Sequence, residues 1–301
     1  MPESPEVQAL AEELGGRLSG HAITDVDVVE FRTIKTRARP PAGLVGEKIT
    51  GVARRGKLLD LSVGASQHLV VSFGRHGWAR WREPVVDRQT EVDRAPDSDE
   101  ASAEPPPPTL VAIGFDDDST LELTDAGNWV SLACWVVDDP VDVPAVAKLG
   151  PDPADAAFSR ADLDRIVVGR RKQLKAVLQD QESLAGIGNA YSDEILHAAQ
   201  LSPVVHASEL DEAERERLFD AIVDVISSAI EARRGVPIDR LKKAKVAAMR
   251  AHGRAGEPCP RCGGTIHDFA FASTTAQYCP TCQTGGELLP EASDRSTARD
   301  E

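Results

Sequence analysis

Apolar residues at Val7, Leu10, Ala11, Leu14 and Leu18 recur at helical spacing, with Pro2 and Glu3 ahead of them as helix starts prefer. The spacing predicts a helix over 3–18. The pattern then changes to short β-rich runs at 22–29, 48–53, 57–63, 68–73, 110–115, 119–124 and 129–137, separated by Gly, Pro and Asp. Such runs predict a β-sandwich. Beyond Leu149-Gly150-Pro151-Asp152-Pro153 the helical period returns over 160–168, 170–180, 189–199, 208–233 and 237–249. The fold class expected is therefore α+β, with an N-terminal helix and β-sandwich (1–149), a helical domain (150–252) and a small cysteine module (253–289). The stretch 83–108, rich in Asp, Glu and Pro with almost no large apolar residue, reads as a flexible insertion, and 290–301 as a disordered tail.

A chain of 301 residues can hold two ordinary domains and an appended module. No apolar run approaches the roughly 18 residues of a membrane span, and the N-terminus lacks the pattern of a secretory signal, so a soluble, cytoplasmic protein with no membrane partner is expected. The net charge of −15 argues against a nucleic-acid partner until its distribution is considered. Eight basic residues fall between Arg32 and Lys57 against the one acid Glu47, and eight more between Arg233 and Arg254 against Asp239. A basic face on an acidic body would fit this distribution. Solvated helix faces would fit it equally.

Cys134 stands alone in an apolar segment and reads as core, whereas Cys259, Cys262, Cys279 and Cys282 form two Cys-Pro-x-Cys knuckles separated by sixteen residues. That spacing suits one tetrahedral zinc ion held by four thiolates. With no open coordination position the zinc would be structural, contributing on the order of 10 kcal/mol of local folding free energy. Free cysteines or an iron–sulfur cluster remain as alternatives, and such a module by itself says little about function.

Two further features carry chemistry. In Met1-Pro-Glu-Ser-Pro-Glu6, loss of the methionine would expose Pro2 as a secondary amine. Such an amine titrates near pH 8, low enough to be partly unprotonated and nucleophilic at neutral pH. Glu3 would adjoin it, and Glu6 lies one helical turn on, placing carboxylates where they could move protons. Taken alone, the hexapeptide is better explained by helix capping. In Gln181-Glu-Ser-Leu-Ala-Gly-Ile-Gly-Asn-Ala-Tyr-Ser-Asp-Glu-Ile-Leu196, Gly186 and Gly188 allow a tight turn opening onto a helix near Asn189, whose amides suit a phosphate. The basic Arg170, Arg171, Lys172 and Lys175 precede it.

Taken together, the chain resembles the formamidopyrimidine-DNA glycosylase and endonuclease VIII family, and more closely a divergent, actinobacterial-like branch of it. The terminal Met-Pro-Glu-x-Pro-Glu, the Arg54-Arg55-Gly56-Lys57 hairpin, the Leu149-Gly-Pro-Asp-Pro link, the Leu184-to-Leu196 helix–two-turn–helix and the terminal zinc finger occur in the family's order over nearly the whole chain. The resemblance implies a monomeric base-excision enzyme of damaged double-stranded DNA, with no nucleotide cofactor. In it Pro2 would attack C1′ to form an iminium, Glu3 would move protons and Glu6 would support the site. Lys57 would contact a phosphate and Asn189 would belong to a phosphate clamp, with Arg54 and Arg254 as further DNA contacts. The damaged nucleotide would have to leave the helix to be reached.

Departures from the family pattern fall at lesion-reading positions. Ser72-Phe73-Gly74-Arg75 stands where His-Leu-Gly-Met, with its wedge methionine, is usual. Asp125-Ala-Gly-Asn128-Trp129-Val130 replaces Asp-x-Arg-Arg-Phe-Gly, so Arg75, Asn128 and Trp129 would face the opposite strand. Thr274 replaces an arginine of the zinc hairpin, and 234–252 is short of the loop that caps 8-oxoguanine. Two readings follow: an active glycosylase with abasic-site lyase activity on oxidised bases or abasic sites, or a lesion-binding protein that keeps the clamp and finger without excising bases.

Overall fold

A computed structural model describes residues 1–84, 106–271 and 274–290. The acidic insertion expected over 83–108 lies mostly outside the described residues, as does the tail from 291. The predicted terminal helix forms as α1 (Ser4–Leu18), with Val7, Leu10, Ala11, Leu14 and Leu18 all buried.

Among the described residues eight strands follow: β1 (Ile23–Val28), β2 (Ile49–Arg55), β3 (Leu58–Val63), β4 (Gln67–Ser72), β5 (Gly77–Arg82), β6 (Thr109–Phe115), β7 (Thr120–Asp125) and β8 (Ala133–Val137). They build two four-stranded sheets, in the orders β1-β6-β7-β5 and β2-β3-β4-β8. Ile23, Val111, Ile113, Leu121 and Leu123 of one sheet and Ile49, Leu59, Leu61, Val70 and Val136 of the other are buried, as a sandwich core requires. Strand β5 was absent from the sequence reading. Its arginines lie on a strand because β7 supplies their counter-charge: Arg80 pairs in register with Glu122, and Arg80 and Arg82 both bind that carboxylate.

The helical half comprises α2 (Pro144–Ala147), α3 (Arg160–Val167), α4 (Leu174–Leu178), α5 (Asn189–Ala199), α6 (Glu212–Arg233) and α7 (Leu241–Ala248), then the hairpin β9 (His267–Phe271) and β10 (Thr274–Tyr278) and the short α8 (Pro280–Gln283). Its core gathers Leu163, Val167, Leu174, Val177, Tyr191, Ile195, Leu218, Ile222 and Ile226. Reciprocal capping boxes, Ser159 with Asp162 and Asp211 with Glu214, start α3 and α6. Helix α4 is shorter than the expected 170–180 because its approach is extended. There Ala207 donates to the Lys172 carbonyl and Leu174 to that of Val205, which holds residues 172–174 against 205–207.

Two compact units emerge from the internal packing. One holds Leu14–Ala53 and Leu59–Val143; the other holds Pro2–Glu13, Arg54–Leu58 and everything from Pro144 onward. The start of the chain and the Gly56 turn thus group with the helices. Hydrogen bonds explain this, beginning with the Ser4 amide, which donates to the Gly186 carbonyl at 3.0 Å. No described helix is long and apolar enough to cross a membrane.

Candidate active site

Helix α5 begins without a cap of its own, because Gly188 precedes it and has no side chain to accept from the first amides. The acceptor comes from the other end of the sequence. Glu3 Oε2 accepts from the amides of Gly188 and Tyr191, the latter at 3.3 Å, and Oε1 accepts from Ala190 at 3.1 Å. A carboxylate there gains both the hydrogen bonds and the positive end of the helix dipole. Gly188 is needed for space rather than conformation. A Cβ on it would lie 2.6 Å from Glu3 Cδ and 2.9 Å from Lys57 Nζ, so its Cα is flanked by a carboxylate and an ammonium. Gly186, at φ +88°, is in the left-handed region, and its face is packed on the Ser4 side chain.

Beside Glu3 stands Glu6. Its Oε1 accepts from the Tyr191 hydroxyl at 2.7 Å, and its Oε2 from the Glu3 amide at 3.1 Å. The buried Arg233 reaches within 3.8 Å of the same carboxylate. Lys245 of α7 binds both acids, its Nζ lying 3.0 Å from Glu3 Oε1 and 3.2 Å from Glu6 Oε2 and 4.9 Å from the centre of the Tyr191 ring. Its side chain is only 12% exposed.

These contacts set the charges. Burial opposes ionisation of Glu3, yet the Lys245 and Lys57 ammoniums and the Gly188 amide outweigh it and bring its carboxyl down to about 2. Burial pushes Lys57 below the ordinary lysine range against the pull of Glu3, and the neighbouring Lys245 adds to the lowering. For Lys245 burial also lowers, but the attraction of Glu3 and then Glu6 prevails and its ammonium is held. Tyr191 is pushed up by burial and by Glu6, so it remains a neutral donor. The arrangement thus offers a fixed carboxylate adjoining Pro2, a second carboxylate locked beside it and a buried lysine whose ammonium is disfavoured by burial.

The other expected residues distribute as follows. Arg54 is 8% exposed and engaged within the protein, donating to Gln8 at 3.0 Å, to the Gly56 carbonyl at 2.9 Å and to Asp152 at 2.5 Å. These bonds brace the hairpin from within, whereas a DNA contact by Arg54 had been expected. Asn189 is half-buried, accepting from Gln179 and donating to the Thr275 carbonyl of β10 at 3.0 Å. Lys175, counted in the basic segment, is fully buried and bound to Asp193 at 2.5 Å, and the other oxygen of Asp193 meets His252 Nδ1 at 2.7 Å. Arg254 donates to the Met249 carbonyl and to Glu257 and keeps a third of its side chain exposed.

In the cysteine module Sγ of Cys262 and Cys279 are 3.5 Å apart and those of Cys259 and Cys282 3.9 Å, with all four within 4.8 Å of one another. Zn–S bonds of about 2.3 Å give tetrahedral S–S edges of about 3.8 Å, so the four thiolates fit one structural zinc. His197 of α5 meets Cys259 Sγ at 3.1 Å and Gln283 donates to the Leu201 carbonyl, fastening the finger to α5 and the segment after it.

In the sandwich unit, Ser131 Oγ accepts from the amides of Arg75 and His76, and Asp125 accepts from Gly127, Ser131 and Leu132. Two loops are thereby joined into one tip carrying the exposed Arg75 and Asn128 and Trp129, which is 83% exposed. Thr274 is exposed at the start of β10.

Sequence reasoning gave no role to Tyr191, Arg233 or Lys245. A signal for Lys245 existed: it falls midway between Leu241 and Met249, both buried, at i, i+4 and i+8. A lysine on an apolar stripe points inward unless it snorkels.

Comparison with known proteins agrees with this architecture. Residues 1–129 match the formamidopyrimidine-DNA glycosylase N-terminal domain, 149–238 the H2TH domain of the same glycosylase, and 256–285 the zinc finger found in FPG and IleRS. The formamidopyrimidine-DNA glycosylase of Heliobacterium modesticaldum is 33% identical, with 94% of this chain and all of that one covered. An uncharacterized formamidopyrimidine-DNA glycosylase-like protein of Mycobacterium tuberculosis is 44% identical over 49% of this chain and 92% of its own. A structure of MutM in complex with DNA containing carbocyclic 8-oxo-G is 25% identical, with a TM-score of 0.77 over 94% of this chain and 99% of that one. The chain belongs to the formamidopyrimidine-DNA glycosylase family.

Proposed function

We propose that this protein is a base-excision glycosylase and abasic-site lyase that works through the amine of Pro2. The observation that carries the reading is the fixing of Glu3, one residue from that amine, on the α5 amides with Lys57 alongside. With Met1 removed, the Pro2 nitrogen adds to C1′ of a ring-opened abasic sugar, and loss of water leaves an iminium. A base removes a C2′ proton, the electron pair forms the C2′–C3′ double bond, and the C3′–O bond breaks with its pair leaving on the phosphate. Hydrolysis of the iminium returns the amine. On an intact damaged nucleotide the same attack would expel the base, which must also gain a proton. Asn189 and Arg254 serve as DNA contacts in this reading, with Arg75, Asn128 and Trp129 facing the duplex opening. Zinc does not take part in the chemistry.

Borohydride trapping on duplexes carrying an abasic site or a damaged base tests the proposal, because it captures the iminium. The native terminus should trap covalently, and an uncleaved N-terminal extension should abolish trapping while DNA binding persists. Trapping by the extended protein would remove Pro2 from the mechanism. Binding without trapping by the native protein would favour the second reading, a lesion binder, to which the changes at Arg75, Asn128 and Thr274 already point.

A further inference from the structure

The Glu3 carboxylate presents four lone-pair directions. Among the described residues four donors occupy them: the amides of Gly188, Ala190 and Tyr191, and the Lys245 ammonium at 3.0 Å. The amides cannot yield without unwinding the start of α5, whereas Lys245 is the tip of a flexible side chain. A proton bound for Glu3 must arrive where Lys245 sits. The position of Lys245 is itself built in, since Leu241 and Met249 bury the same stripe of the segment and Glu6 Oε2 also holds the ammonium, at 3.2 Å.

We propose that Lys245 is a positioning residue for Glu3, occupying the one exchangeable direction of its carboxylate, and that it thereby biases the site toward elimination at abasic nucleotides over excision of damaged bases. This rests on the lyase reading above. Elimination needs a base near the sugar, and the ionised Glu3 can take that proton in the direction Lys245 vacates. Excision needs a proton for the departing base, which Glu3 in this state does not carry. The other groups facing Glu3 reinforce its ionised form or leave it alone. Lys57 stands at the hairpin turn, Lys175 acts from α4, Glu6 shares α1, and Arg233 of α6 and the neutral Tyr191 of α5 are turned to Glu6.

The test uses the zinc-loaded full chain and its K245M and K245R variants in single-turnover cleavage of an abasic duplex across a pH series. An opposite charge at this distance typically lowers a carboxyl by roughly 1–3 pH units, so K245M should raise the acid limb of the profile by about that amount. K245R should restore the native limb. On a duplex with a formamidopyrimidine base, K245M should also raise excision relative to abasic cleavage. A folded, zinc-containing K245M protein whose limb and excision ratio match the native ones overturns the proposal. If K245M does not fold, K245Q is read the same way against K245R. Failure of the native protein to trap at an abasic site would instead defeat the lyase reading, so the two failures are distinguishable.

Discussion

Replacing Gly188 by alanine isolates the contribution of active-site geometry, because the backbone there, at φ −127° and ψ −152°, is open to any residue. The entire effect is then steric. The new Cβ would lie 2.6 Å from Glu3 Cδ and 2.9 Å from Lys57 Nζ, so reaching ordinary contact at 3.4 Å requires the carboxylate to retreat by about 0.8 Å and the ammonium by about 0.5 Å. That retreat carries Glu3 off the Ala190 and Tyr191 amides, which now sit at 3.1 and 3.3 Å. Overpacking of this size costs about 1–3 kcal/mol of stability, while displacement of a reacting group by about 1 Å costs about 10²-fold in rate. Single-turnover cleavage of an abasic duplex should therefore fall by roughly two orders of magnitude, with zinc content retained and the thermal midpoint lowered by several degrees. G16A provides the control. A Cβ at Gly16 meets nothing within 4 Å, so that variant should keep its activity and gain about 0.5–1 kcal/mol. A folded G188A protein that cleaves at the native rate would show that the closeness of Glu3, Gly188 and Lys57 has no catalytic meaning.

Two further outcomes follow from the site and the finger. Cys279→Ser should lose stoichiometric zinc by mass spectrometry and, with the finger no longer closed on α5, most DNA affinity; full zinc and full affinity would remove Cys279 from the metal site. Glu3 titrates at about 2 in the folded protein against an ordinary 4.5, so its ionised form stabilises the fold fully above about pH 4.5 and that contribution is lost as pH falls toward about 2. E3Q should accordingly show a shallower decline of melting temperature than the native protein across that window, the zinc site being common to both; parallel curves would mean that the carboxylate gains nothing from its cap.

What the sequence disclosed was mostly local. Helix α5 was expected over 189–199 and forms as Asn189–Ala199, since its turn glycines and apolar period lie within one short stretch. The zinc knuckles were legible for the same reason. Charge was less so, because all but one of the partners involved, Glu30 beside Arg32, are distant in sequence. Much of the basic character between Arg32 and Lys57 is consumed by Glu30, Asp138 and Asp152, and Lys175 is neutralised inside by Asp193. Strand β5 was hidden likewise, its two arginines making sense only beside Glu122.

The terminal hexapeptide shows how a local reading can be sound and still aim at the wrong partner. Pro2 and Glu3 before an apolar helical stripe suggest helix capping, and Glu3 is indeed a helix cap. The helix it caps, though, is α5, 185 residues away, and its own α1 gains the Glu6 acceptor for the Glu3 amide instead. Capping and the proposed chemistry are therefore not rival explanations of Glu3. The amides that stabilise its charge also fix its position, and the residue before it is carried along. The cap supplied by Glu3 ties Pro2, the nucleophile proposed above, to the start of the helix whose first residue, Asn189, donates to the Thr275 carbonyl of the zinc hairpin. Loosening the cap would cost the α5 amides their acceptor and, on the proposed mechanism, shift the amine as well. Arg75 and Asn128 belong to the sandwich unit and Thr274 is exposed at the start of β10, and these are among the positions at which this chain departs from the family pattern.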